Sequence, residues 1–326
     1  MSKLKSLINK IPYKMWSRLF LIFVIIFFCI YLFKIDFSKL EGIRFDWVMV
    51  GIATFFGLIF RFWGVFIWRS ILTDLGSQTL PRFPEMSFIY AKAWMGRYIP
   101  GTVTWIAGKI YMANSHGISK SRLAVSSLLE GGMQVAAIAT VSALLIAFDF
   151  RLSLLNLEIR LMLLGLGLLC LLVLTPPIFN RLMKIAFRLL RKTEASEELS
   201  VTPKAVFRSF LLYAFGTFIS GTSVFFLTQA LYSTVQFDLY FYLVGAFSMA
   251  GAIGMAVPFL PSGIGIREGA LVLFLSPIFS GEGAVLIAIV TRLWAAVADL
   301  LFLFFSWLIV KLPFKLSSLN DNGDNG

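Results

Sequence analysis

Apolar residues in this chain come in unbroken runs, without the three-and-four spacing of a helix lying on a soluble core. Residues 19–33, 48–60, 161–174 and 300–310 are Leu, Ile, Val and Phe with few interruptions. With their flanks, several of these runs are long enough for a hydrocarbon layer of ~30 Å. Backbone in lipid must satisfy its own N–H and C=O groups, and a helix does so within one segment. The ten-residue alternation of an outer-membrane barrel is absent. The pattern predicts an all-α polytopic membrane protein with about six to eight spanning helices and one or two re-entrant hairpins.

The hairpins are expected where the apolar pattern breaks. Residues 86–112 are interrupted by Gly96, Pro100 and Gly101, and residues 257–265 hold Pro258, Pro261, Gly263 and Gly265. Such residues interrupt a membrane helix. Basic residues then set the orientation. Five basic and no acidic residues precede Leu19, whereas residues 34–46 carry three of each sign. The N-terminus is therefore expected in the cytoplasm. The long polar stretch 180–208 carries seven basic and three acidic residues and belongs on the same side. If residues 86–112 crossed fully, that stretch would emerge outside, so the first break reads as a hairpin entered from the cytoplasm. Residues 240–279 form either a second hairpin or two full spans, since both leave Lys311 and Lys315 cytoplasmic.

A shift of 161 positions carries residues 48–68 onto 209–229, residues 123–147 onto 284–308, and Pro100 onto Pro261. Span, break and span recur in register, and the first copy starts inward where the second starts outward. This predicts an inverted-topology repeat, about 48–147 and about 207–310, within one membrane domain over residues 1–316. Residues 317–326, rich in Ser, Asn, Asp and Gly, read as a disordered cytoplasmic tail.

Composition narrows the function. The chain is 59% apolar and 14% charged with a net charge of +12, but its basic residues lie in loops beside the spans and not on a soluble face interleaved with aromatics. That distribution serves membrane orientation and excludes a nucleic-acid partner. Cys29 and Cys170 sit in separate apolar runs and read as small fillers. His116, alone in a polar loop, cannot build a metal site. No metal and no cofactor is expected. Trp16, Trp47 and Trp68 near span ends read as interface anchors.

Eight ionisable residues fall in or beside the membrane segments: Arg61, Arg97, Lys109, Glu130, Arg267, Glu268, Arg292 and Asp299. Each would cost roughly 2.5–3.5 kcal/mol at a helix centre facing lipid, so they must pair, line a wet cavity or reach the interface. Glu130 lies about 10 Å beyond the inner start of its span and Arg292 about 13 Å beyond the outer start of its own. Both approach the midplane, where they can form a buried ion pair; Glu130, Glu268 and Asp299 are the candidates for proton coupling or ion pairing. Arg61, eight residues from Arg69, is placed to snorkel, and Asp299 sits on the helix face of Arg292 as an intrahelical neighbour. Arg97 and Lys109 flank the first break and Arg267 and Glu268 follow the second. A broken helix frees backbone N–H groups, which with an arginine make an anion site. Lys109, Arg97, Arg267 and Arg292 are therefore the candidate head-group ligands. Five basic against three acidic residues leave the set at +2, which favours a phosphate-bearing ligand over a cation.

At Gly96-Arg97-Tyr98-Ile99-Pro100-Gly101, Ser126-Ser127-Leu128-Leu129-Glu130 and Pro261-Ser262-Gly263-Ile264-Gly265-Ile266-Arg267-Glu268-Gly269 the chain resembles the flippase-like membrane domain of lysylphosphatidylglycerol synthases, over roughly residues 48–310. The resemblance implies a lipid-translocating domain with Arg97, Glu130, Arg267 and Glu268 at the matching positions. It also implies a stand-alone member, because no soluble aminoacyl-transferase domain follows the last span, and lysyl transfer is then not expected. The cargo implied is an anionic phospholipid or a polyprenyl-phosphate-linked sugar in the cytoplasmic membrane, with envelope-biosynthesis enzymes as partners. A membrane glycosyltransferase is the enzyme alternative, although the expected outer segments are short for a catalytic loop. A transporter of a small soluble anion is the third reading.

Overall fold

The computed structural model describes residues 45–77, 79–98, 103–149, 157–173, 175, 177–181, 185, 201–256, 263 and 265–312. Their helices are α1 (Trp47–Asp74), α2 (Phe83–Met95), α3 (Val103–Asn114), α4 (Lys120–Ala147), α5 (Leu157–Val173), α6 (Pro203–Leu231), α7 (Tyr240–Ala256), α8 (Ile266–Leu275) and α9 (Gly281–Lys311). Among the described residues there is no strand. The predicted first span, the tail, most of residues 180–208, and Pro100, Gly101 and Pro261 lie outside the described residues.

Each long helix starts where a polar side chain takes up otherwise orphaned amides. Asp46 accepts from Val48 and Met49, Ser119 from Arg122, Thr202 from Ala205 and Ser280 from Gly283. Among the described residues, five segments are long and apolar enough to cross a membrane: Trp47–Asp74, Lys120–Ala147, Pro203–Leu231, Phe237–Ala256 and Gly281–Lys311. By contrast, α2, α3 and α8 have 13, 12 and 10 residues. At 1.5 Å per residue none exceeds about 20 Å, short of a hydrocarbon core of ~30 Å.

Polarity runs inside out relative to a soluble protein. Phe55, Phe66, Leu161, Met162, Leu168, Phe215, Phe304 and Phe305 are exposed, while Arg61, Lys109, Glu130, Arg292 and Asp299 are buried. Lipid solvates the first group and cannot solvate the second. This is a multi-pass membrane protein.

Helices close in on one another through small residues, as expected where no hydrophobic effect drives packing. A methyl group at Gly57 of α1 would overlap the Trp294 ring of α9, and one at Gly221 of α6 would meet Val244 of α7. The packing partners follow a pattern. α1 lies along α6; α2 packs on α9 as α7 packs on α4; α2 packs on α3 as α7 packs on α8; and α3 meets α4 as α8 meets α9. Exchanging α1–α4 for α6–α9 also turns the α1–α2 contact into α6–α7 and the α1–α9 contact into α6–α4. Only α5, which packs on α4, has no counterpart among these pairs.

Candidate functional site

Asp299, in the middle of α9 and fully buried, gathers donors from three other segments. Arg61 of α1 donates from Nε to Oδ1 at 2.7 Å, and its remaining nitrogens reach the carbonyls of Gly57 and Ala295 at 2.8 and 2.9 Å. Trp94, near the end of α2, donates its indole N–H to Oδ1 at 3.1 Å. The helix then tightens into a 3₁₀ turn, Gly96–Tyr98. That turn delivers Arg97 and Tyr98 to Oδ2 at 2.5 and 2.6 Å. A buried carboxylate is tolerable with this many donors, two of them cationic. Arg61 does not snorkel: it is 7% exposed, because α9 offers it a carboxylate and a carbonyl at the same depth. Asp299 in turn takes these hydrogen bonds from other segments, with its helix neighbour Arg292 within electrostatic reach.

Glu130 of α4 and Lys109 of α3 make a second buried pair, each 1% exposed. Tyr90 of α2 donates to Glu130 Oε1 at 2.7 Å. The Lys109 ammonium stands 4.6–4.9 Å from the ring centroids of Trp68, Tyr90 and Trp105, a cage of aromatic faces suited to a cation. The expected pairing of Glu130 with Arg292 therefore does not form. Lys109 supplies the counter-charge from the adjacent short helix, while Arg292 pairs with Glu268 at 3.2 Å. Trp68, expected as an interface anchor, is fully buried against this cage.

At the second interruption the chain passes through Gly263 and Gly265 with φ of 67° and 84°. A side chain at Gly263 would also stand 2.9 Å from the Gly254 backbone, so only glycine fits there. α8 then begins, and Glu268 reaches back to accept from the Gly265 N–H at 2.7 Å. The amide expected to serve an external anion is thus taken by the helix's own carboxylate. Arg267 lies over the Phe247 ring at 4.7 Å, and no carboxylate among the described residues pairs with it. Its charge is within electrostatic reach of Arg97, Glu268, Tyr98 and Asp299. Arg97, stacked on Trp94 at 4.6 Å, keeps a buried Nε without a hydrogen-bond partner.

Arg97, which follows α2 at the first break, is bonded to Asp299, and Arg267 at the start of α8 lies within electrostatic reach of both. Lys109, Glu130 and Arg292, also candidates, are each already paired in neighbouring clusters. Missing from the sequence reading were the aromatic partners Tyr90, Trp94, Tyr98 and Trp105. A signal was available in the four-residue spacing of Tyr90, Trp94 and Tyr98, which puts three polar-tipped rings on one face of α2 and its turn.

A family model described as the lysylphosphatidylglycerol synthase TM region matches residues 15–302. No curated protein matches the chain.

Proposed function

Since the chain belongs to the family of lysylphosphatidylglycerol synthase TM regions, we propose that it carries an anionic lipid across the cytoplasmic membrane, binding the head group between Arg97 and Arg267. The observation that supports this most is that each helix interruption carries an arginine within electrostatic reach of the other, one with an unpartnered Nε and the other with no carboxylate bonded to it among the described residues. Phosphate oxygens answer both needs, and arginine matches them with paired N–H groups.

The finer topology belongs to the same reading. α2 with α3, and α7 with α8, are pairs of helical arms on either side of a break; α2, α3 and α8 are too short to span alone, whereas α7 with the turn before it is long enough. Their exchange-symmetric packing on α9 and α4 supports an inverted repeat around the α1–α6 contact. In this arrangement α2–α3 enters from the cytoplasm, and rocking of one repeat against the other opens the arginine pair to either leaflet. No cofactor takes part.

The test is translocation in sealed vesicles of short-chain, fluorescently labelled phosphatidate and phosphatidylglycerol, read by quenching of the outer leaflet. Arg97→Gln and Arg267→Gln are each expected to slow movement at least about ten-fold, the effect of losing one charge-assisted contact. If both variants move both lipids at the parental rate, the head group is held elsewhere.

A further inference from the structure

Resting on that reading, we infer that the pair of Glu130 and Lys109 takes up and releases one proton in each transport cycle, while Asp299 is a fixed anion. Among the described residues Glu130 and Asp299 are the two buried carboxylates, and their oxygens are used differently. Asp299 accepts from Arg61 and Trp94 on Oδ1 and from Arg97 and Tyr98 on Oδ2. An ionised carboxylate offers about four lone-pair sites. A proton therefore enters there only by displacing a donor, and it leaves two guanidinium groups beside a neutral acid. Glu130 has one donor on each oxygen, Tyr90 on Oε1 and Lys109 on Oε2, so a lone pair stays open on both. Of the two, Glu130 is the carboxylate with room for a proton.

The aromatic cage serves the protonated state. An ammonium already paired with a carboxylate needs no further anion, yet Lys109 also has the faces of Trp68, Tyr90 and Trp105 around it. When a proton from the open side turns the Glu130 carboxylate into the acid, Lys109 keeps its charge and those faces still hold it. The proton leaves to the other side as the ion pair re-forms. No other group near Glu130 replaces Lys109. Tyr213 of α6 lies within electrostatic reach and Cys170 of α5 packs beside the same cluster, but neither is a cation; Arg61 of α1 is bonded to Asp299, and Tyr240 and Tyr242 of α7 lie by Ala143 and Ile146, further along α4.

The change reaches the proposed head-group ligand through α2. Tyr90 stacks on Trp94 with centroids 5.8 Å apart, and Trp105 of the cage meets Trp94 edge-on at 6.4 Å. Trp94 in turn donates to Asp299 and carries the Arg97 guanidinium on its face at 4.6 Å. Residues four apart share a helix face, so one short arm bears the proton sensor at Tyr90 and the anion ligand at Arg97. Neutralising Glu130 weakens the charge-assisted bond that ties Tyr90 to α4. α2 then shifts, and Arg97 shifts with it.

Sealed vesicles holding the purified protein receive short-chain, fluorescently labelled phosphatidate or phosphatidylglycerol in separate preparations. A pH difference of about one unit is imposed, with the electrical potential clamped by potassium and valinomycin, and protein-free vesicles give the background. The readout is the final ratio of label between the leaflets. The wild type should shift that ratio several-fold, up to the limit of about ten-fold per pH unit that one proton per lipid allows, and reversing the gradient should reverse the shift. The double variant Glu130→Gln with Lys109→Met, which strands neither charge, should carry label across and give the same ratio with and without the gradient. Tyr90→Phe, which spares the ion pair, should reduce the shift at least about two-fold; a parental shift in this variant overturns the route through α2. Wild-type movement that ignores the gradient, or a double variant that responds as the parent does, overturns the proton site and leaves lipid transport standing. Absence of movement of both lipids under every condition overturns lipid transport and the coupling with it.

Discussion

Glu130 is accommodated inside the protein because Lys109 and the Tyr90 hydroxyl meet it there. Neutralising one partner strands the other, and breaking a buried pair in this way typically costs about 3–5 kcal/mol. Glu130→Gln leaves the Lys109 ammonium with only aromatic faces for company, so its unfolding temperature in detergent should fall sharply. The double variant Glu130→Gln with Lys109→Met should recover much of the loss. Losses that simply add would mean the two groups do not depend on each other. All eight charges in or beside the membrane segments could be picked out of the sequence, because an ionisable residue in an apolar run is conspicuous. Their partners could not. Arg61 lies near a span end by count, yet its depth is decided by α9, which supplies Asp299 from across the molecule. Trp68 likewise looks like an interface residue until Lys109 of α3 is placed against it.

Elements meet here through backbone proximity. Gly57 lets the Trp294 ring lie on α1, where its indole N–H also reaches Thr54 at 3.2 Å. A methyl group at Gly57 would displace that ring and with it the contact that sets Arg61 opposite Asp299. Gly57→Ala should cost about 1–3 kcal/mol, the usual penalty of overpacking. Gly51→Ala, six residues earlier on α1 with open space around it, should be neutral or slightly stabilising. The comparison needs only thermal unfolding of the two purified variants, and equal behaviour would remove Gly57 from the α1–α9 contact. At this scale the sequence was informative about interruptions, since Pro and Gly change what a backbone can do wherever they stand. It was uninformative about who fills the amides they free. Glu268 sits at the third helical position of α8, where a carboxylate can bend back on its own helix as readily as it can face a ligand.

The molecule as a whole has a scaffold more symmetric than its chemistry. Its packing pairs survive the exchange of α1–α4 for α6–α9, but the 161-residue shift sets Arg61 against Thr222 and Asp299 against Ile138. Spacing and packing pairs correspond between the two halves where side chains do not. The orientation implied can be checked with cysteines at Ser2, Ser196 and Ser318. All three should resist an impermeant thiol reagent added to intact cells, and efficient labelling at Ser196 would reverse the orientation of the second half. The bond between Arg61 and Asp299 spans 238 residues of chain. At ~5–20 residues per second a ribosome needs about 12–50 s to deliver one after the other. For that interval the guanidinium of the first helix has no permanent counter-ion. A chain cut short before α9 therefore lacks the carboxylate with which Arg61 pairs in the finished fold.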